Sequence, residues 1–66
     1  MKAKKIWANF SVKDVNAFVA LLKANNVSWE DWPGTPFAIT TRVDGVHQVY
    51  LKDPDGYWLE INDATH

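Results

Sequence analysis

The segment "DPDGYWLE", from Asp53 to Glu60, ends in a single carboxylate after a run of aromatic and apolar residues. Its first half is typical of a tight turn, because Pro54 presets φ and Gly56 tolerates a positive φ. Its second half is typical of a strand. Glu60 is therefore either a solvent-facing residue of a half-buried sheet or a carboxylate in a cavity, where it can exchange protons with a ligand.

The remaining residues with reactive or ligating side chains give weaker signals. His47 opens a predicted strand beside a turn, which favours a structural or exposed residue over a metal ligand, and His66 is the last residue. Asp53 and Asp55 lack the later acidic positions of a calcium loop, and turn chemistry accounts for both. The sequence contains no nucleophile triad, no phosphate-binding loop and no basic-aromatic stripe. Glu60 is thus the main candidate for chemistry.

Composition limits the chain to one small domain. It has 66 residues, no cysteine and two histidines, which excludes disulfides and thiolate zinc sites. A net charge of -1 gives no field for nucleic acid or an anionic membrane. The apolar run after "MKAKK" is broken at Asn9, so it is too short for a signal or membrane-spanning segment. We expect a soluble, cytoplasmic protein with no nucleic-acid or membrane partner.

The elements that position Glu60 can be predicted from periodicity. The segment "DVNAFVALLKANN" has apolar residues at helical spacing, with Asp14 as its N-cap and Asn25 or Asn26 at its end. Four segments are predicted strands, with turns at "DG" and "DPDG". These strands are "KIWANFSV", "FAITTRV", "HQVYLK" and "YWLEIN". The order β-α-β-β-β predicts an α+β fold, an antiparallel sheet with one helix on one face.

One helix covers only one face of such a sheet, so strand parity predicts the residues of the other face. The aliphatic residues expected under the helix are Ile6, Ala8, Phe10, Val49, Leu51, Leu59 and Ile61. The residues expected on the opposite face are Trp7, Asn9, Ser11, Gln48, Tyr50, Lys52, Trp58, Glu60 and Asn62. This second set is polar and aromatic, as in a binding surface.

Together, the β-α-β-β-β order and the motif "KDPDGYWLEI" resemble the vicinal oxygen chelate superfamily, which includes glyoxalase I, bleomycin-resistance proteins and extradiol dioxygenases. The chain is most similar to the C-terminal module of lactoylglutathione lyase-like proteins, in which a strand like "FSVKDV" leads into a helix and "DPDGYWLEI" closes the module. The resemblance extends from Ile6 to Asn62. It implies that residues 1–66 form one module.

The resemblance also implies a metal site shared by two paired modules, which form a cup. In that arrangement the last-strand ligand is Glu60, and the first-strand ligand, usually His, falls on Trp7. Because Trp does not ligate metals, this chain supplies an incomplete site for a divalent ion such as Zn, Ni, Mn, Fe or Mg. The second module is then either another copy in a homodimer or a missing N-terminal half.

Two functions follow from the resemblance. The first is a metal-dependent lyase or isomerase acting on a small substrate with vicinal oxygens, with Glu60 as metal ligand and proton shuttle. Five residues would shape its substrate pocket, namely Trp7, Asn9, Tyr50, Trp58 and Asn62. The alternative is a metal-free, small-molecule (drug) binding protein of the bleomycin-resistance type, which Trp7 in place of His favours. A pairing module without its own activity is a third reading.

Overall fold

The computed structural model describes residues 5–64, and it confirms the predicted α+β module. The elements are β1 (Ile6–Ser11), α1 (Val15–Ala24), β2 (Thr40–Thr41), β3 (His47–Lys52) and β4 (Trp58–Asn62). They form one four-stranded sheet in the order β1-β4-β3-β2.

The sheet is mixed rather than wholly antiparallel. Strand β3 runs antiparallel to β2 and to β4, as predicted from the two hairpin turns. Strand β1, however, pairs with β4 in parallel. The reason is topological: the connection through α1 returns the chain to the same end of the sheet, so β1 and β2 run in one direction. Two hairpins later, β4 again has that direction.

Helix α1 begins and ends as its sequence predicts. The Asp14 carboxylate accepts hydrogen bonds from the backbone N–H groups of Asn16 at 2.9 Å and Ala17 at 3.3 Å. At the other end, Asn26 takes the left-handed conformation with φ of 58°. Within residues 5–64, no helix has the length and apolar content that a membrane crossing requires.

The hydrophobic core lies between α1 and the sheet. Its buried members are Val15, Leu22, Trp29, Val49 and Ile61, with Val12, Phe18, Val19, Ile39 and Leu51 packed around them. Phe10, which parity predicts under the helix, is 50% exposed instead. The helix packs against β3, whereas β1 is at the edge of the sheet, and α1 does not cover Phe10 there.

Both hairpin turns close in the same way, which confirms the turn predictions. In the first, Arg42 N–H donates to the Val46 carbonyl at 2.8 Å and Gly45 N–H to the Arg42 carbonyl at 2.9 Å. In the second, Asp53 N–H donates to the Tyr57 carbonyl at 2.9 Å, and the N–H of the glycine at 56 donates to the Asp53 carbonyl at 3.0 Å. The two glycines have φ of 89° and 88°, which only glycine adopts without strain.

The predicted strand "FAITTRV" is much shorter in the structure, because β2 comprises only Thr40–Thr41. Phe37 has a φ of 61°, which is incompatible with a strand. The position beside β3 that a longer β2 would take is occupied by Glu30. Its backbone N–H donates to the Tyr50 carbonyl at 2.9 Å, and Tyr50 N–H donates back at 2.8 Å.

Candidate functional site

The sheet face opposite α1, which we call the open face, gathers polar side chains around Glu60. Strand register sets this arrangement, since Asn9 and Tyr50 are the cross-strand neighbours of Glu60 on either side. Gln48 pairs with Asn62 one step further along. The open face comprises Asn9, Ser11, Gln48, Tyr50, Lys52, Trp58, Glu60 and Asn62, as parity predicts.

The Glu60 carboxylate accepts four hydrogen bonds, all from neutral groups. Its Oε2 accepts from the side-chain amides of Asn9 at 3.1 Å, Asn62 at 2.9 Å and Gln48 at 3.4 Å. Its Oε1 accepts from the Tyr50 hydroxyl at 3.2 Å. Of the ion pairs formed within residues 5–64, none includes Glu60. The carboxylate is therefore held in position by dipoles and not by a counter-ion.

A second group of hydrogen bonds fixes the orientation of the amides. The Asn62 Nδ2 also donates to the Asn9 Oδ1 at 2.6 Å. The Asn62 Oδ1 accepts from the Ser11 hydroxyl at 3.2 Å and from the Ala64 backbone N–H at 3.1 Å. Because the Asn62 oxygen has these two donors, its NH₂ group must face Glu60.

Tyr50 is buried at 3% exposure and remains a hydrogen-bond donor at neutral pH. Burial, the negative charge of Glu60 and the hydrogen bond to that carboxylate together raise the pKa of Tyr50 to about 12, against a smaller lowering by Arg42. Each of the three raising causes disfavours a phenolate beside a carboxylate.

Aromatic rings border this polar cluster. The Trp32 ring lies 5.3 Å from the Tyr50 ring, and the Lys52 ammonium lies 5.0 Å from the centre of the Trp58 ring. Tyr50, Lys52 and Trp58 also line a cavity of about 450 Å³ that extends along the sheet edge to Trp29. The open face therefore offers both a carboxylate and apolar rings to a ligand.

Trp7 lies at a break in the strand pairing. The register of β1 and β4 shifts between Ile6 and Ala8, so that Trp7 is the extra residue of a β-bulge. Its ring is 66% exposed and lies 5.7 Å from the Tyr57 ring. The first-strand residue paired with Glu60 is Asn9, and the contribution of Trp7 to a substrate pocket stays a prediction.

Sequence reasoning left Gln48 and Trp32 out of the candidate site. Gln48 was placed on the correct face, and its register opposite Asn62 is the signal that brings it to Glu60. Trp32 belongs to an irregular segment, where parity predicts no face. Its place is fixed by its backbone N–H, which donates to the Thr40 hydroxyl at 2.8 Å.

The described residues around Glu60 do not by themselves fit the divalent metal that the resemblance implies. Within residues 5–64, no group of three or more His, Cys, Asp or Glu side chains is arranged to hold a metal ion. The neighbours of Glu60 present N–H and O–H groups to it, and those groups donate hydrogen bonds where a metal needs lone pairs.

His47 forms a hydrogen-bonded pair with Asp63 at the end of the sheet, away from Glu60. Its Nδ1 lies 2.7 Å from the Asp63 Oδ2, and its backbone N–H donates to the Asp63 Oδ1 at 2.7 Å. These two hydrogen bonds lower the pKa of Asp63. The pair ties the start of β3 to the residue after β4, which fits the structural role expected for His47. His66 lies outside the described residues.

Comparison with known proteins supports the fold. No family model matches the sequence, and no curated protein matches it. Among solved structures, the oxidase ChaP-H1 is similar, with a TM-score of 0.71 and 27% sequence identity over 92% of this chain. The match covers 52% of the oxidase chain, so the present chain spans about half of its length. The module therefore shares its fold with half of an enzyme.

Proposed function

We propose that the chain is one half of a small-molecule binding site of the bleomycin-resistance type, with Glu60 as the polar anchor for the ligand. The observation that carries this proposal is the Glu60 carboxylate itself. It lies at the centre of an open sheet face, is oriented by four neutral donors and has no ion-pair partner within residues 5–64. A carboxylate without a counter-ion favours a ligand that brings a positive charge.

The rings beside Glu60 suggest the rest of the ligand. Trp32, whose ring lies 5.3 Å from the Tyr50 ring, and Trp58, on the same strand as Glu60, supply aromatic surface beside the cluster. Aromatic faces attract cations and stack on planar groups. The ligand class that fits is a planar molecule carrying a positive charge or a strong hydrogen-bond donor.

A second module would close the site. Strand β1 is at the edge of the sheet, and its aromatic residue Trp7 is 66% accessible. Exposed aromatic residues of this size are typical of surfaces that dock another protein. Since the similar oxidase chain is about twice as long, we propose that another copy of this module, or the other half of a longer chain, covers the open face.

A binding measurement tests the anchor role of Glu60. We expect the planar cation proflavine to bind, and Glu60→Gln to weaken its binding about tenfold, as for one charge-assisted hydrogen bond. Asp55→Asn is the matched control, because it removes one carboxylate from an exposed turn. Equal affinities for the wild type and Glu60→Gln, or preference for the planar anion 9-anthracenecarboxylate at this face, would contradict the proposal.

A metal-dependent lyase or isomerase on a vicinal-oxygen substrate is the second candidate. The favouring observation is that Glu60, on β4, lies directly beside β1, the two strands from which the resemblance draws metal ligands. A second module would have to supply the remaining ligands for Zn, Ni, Mn, Fe or Mg. Metal analysis after dialysis separates the candidates: one ion per paired site, lost in Glu60→Gln, supports the enzyme, and a metal-free protein that binds proflavine supports the binder.

A further inference from the structure

We propose a second ligand site on the opposite side of the sheet, between α1 and the segment 26–37. This helix-side groove is a cavity of about 510 Å³ lined by Asn16, Val19, Ala20, Lys23, Trp29 and Phe37. Its volume lies within the range of small-molecule sites, roughly 300–1,000 Å³. We infer that it takes a small planar apolar molecule bearing a carboxylate.

The charge of the lining selects an anion. Among residues 5–64, Lys23 is the one charged residue that lines the helix-side groove, and no carboxylate lines it. Lys23 and Phe37 also border a smaller cavity of about 320 Å³, whose other residues are neutral. The full charge of Lys23 exceeds the partial negative charge, about half an electron, that the C-terminus of α1 contributes. A carboxylate at the rim therefore has a cationic partner.

The apolar walls fit a flat ring. Val19 and Ala20 provide one wall from α1, and Trp29 and Phe37 provide the other. The Trp29 and Phe37 rings meet edge to face, with their centres 5.1 Å apart. A planar molecule can pack its rings against these aromatic and aliphatic surfaces.

Two features at the contact between Trp29 and Phe37 are unfavourable, and a ligand can satisfy the first of them. The Trp29 Nε1 is buried and has no hydrogen-bond partner in the part of the chain that the structure describes, which costs stability. Phe37 holds a left-handed φ of 61° while its side chain stays 62% exposed. A ligand oxygen that reaches the indole N–H would supply the missing acceptor.

Titration of the ¹⁵N-labelled chain with 2-naphthoate tests this site. We expect the backbone amides of Val19, Ala20 and Lys23 to shift, together with the indole resonance of Trp29, which Trp29→Phe identifies. Lys23→Gln should weaken binding about tenfold. Lys5→Gln is the matched control, because Lys5 is exposed, lies outside the groove lining and should leave the affinity unchanged. The neutral analogue 2-naphthamide should bind about as weakly as 2-naphthoate binds to Lys23→Gln.

Three outcomes would overturn the proposal. They are shifts confined to the amides of Asn9, Glu60 and Asn62, an absence of shifts at millimolar ligand, and equal weakening by Lys23→Gln and Lys5→Gln. Glu60→Gln distinguishes this site from the open face. We expect that substitution to leave 2-naphthoate binding unchanged, so the two sites can fail independently.

Discussion

The two faces of the sheet are built from alternate residues of the same strands, yet they are held by different forces. On the α1 side, Val49 and Ile61 pack in a core in which contacts have no preferred direction. On the open face, their neighbours Tyr50 and Glu60 form hydrogen bonds of defined donor and acceptor. The comparison teaches that burial under the helix stabilises this small module, whereas the polar network fixes one side chain in one orientation.

The largest loss of stability on substitution should appear in the core. Val49 is fully buried, so Val49→Ala leaves a cavity and should lower the free energy of unfolding by about 2 kcal/mol. Val43→Ala is the matched control, since Val43 is fully exposed and its substitution should change stability by less than about 0.5 kcal/mol. Urea unfolding measures both. Similar losses of stability at the two positions would mean that Val49 contributes no more to the free energy of unfolding than an exposed valine does.

A substitution on the open face should lower the stability less than one in the core. Glu60→Gln replaces one acceptor oxygen by a donor group that faces other donors, and we expect a loss of about 1–2 kcal/mol. Urea unfolding, with Asp55→Asn as the control, measures it, and circular dichroism should show the same fold. If Glu60→Gln instead stabilised the chain, the network would be a strained site retained for function, and the contrast between the faces would be sharper.

A third test concerns Phe37, in the segment between α1 and β2. At Phe37, both Phe37→Ala and Phe37→Gly remove the ring, but glycine adopts the left-handed φ with less strain. We therefore expect Phe37→Gly to be more stable than Phe37→Ala by about 1 kcal/mol, the reverse of the usual order inside an element. Thermal unfolding of the two variants measures this difference. A higher stability of Phe37→Ala would contradict the prediction.

The last effect is expected at alkaline pH only, and it concerns the open face. The pKa of Tyr50 is raised to about 12 from 10.0, so between these values the folded chain holds a proton that the unfolded chain has lost. This contribution to stability is complete below pH 10 and declines as the pH rises towards 12. The stability of Tyr50→Phe should fall less steeply over that interval in urea unfolding. Parallel declines for the two proteins would remove Tyr50 as the cause.

Local signals in the sequence predicted much of this structure. The cap at Asp14, the helical stripe and both aspartate-glycine turns depend on residues a few positions apart, and each forms as expected. Parity then brought Asn9, Tyr50 and Asn62 to Glu60. The parallel pairing of β1 with β4 depends on the whole chain path, and no short stretch of sequence encodes it.

Two details of the site could not be predicted for a related reason. The bulge at Trp7 arises from how β1 fits against β4, a strand far along the chain, so periodicity within β1 gives no sign of it. The shortening of β2 follows from the left-handed φ at Phe37 and from Glu30 occupying the edge of β3. Both depend on tertiary contacts that override local strand propensity.

The pairing of β1 with β4 also determines when the site can form during folding. The two hairpins close over a few residues, which takes microseconds for isolated hairpins. The hydrogen bond from Asn9 to Glu60, in contrast, joins residues 51 positions apart. Because long loops are slow to close, we expect the hydrogen bonds from Tyr50 and Gln48 to Glu60 to form before the one from Asn9. The last strand to dock is then the one that completes the surroundings of Glu60.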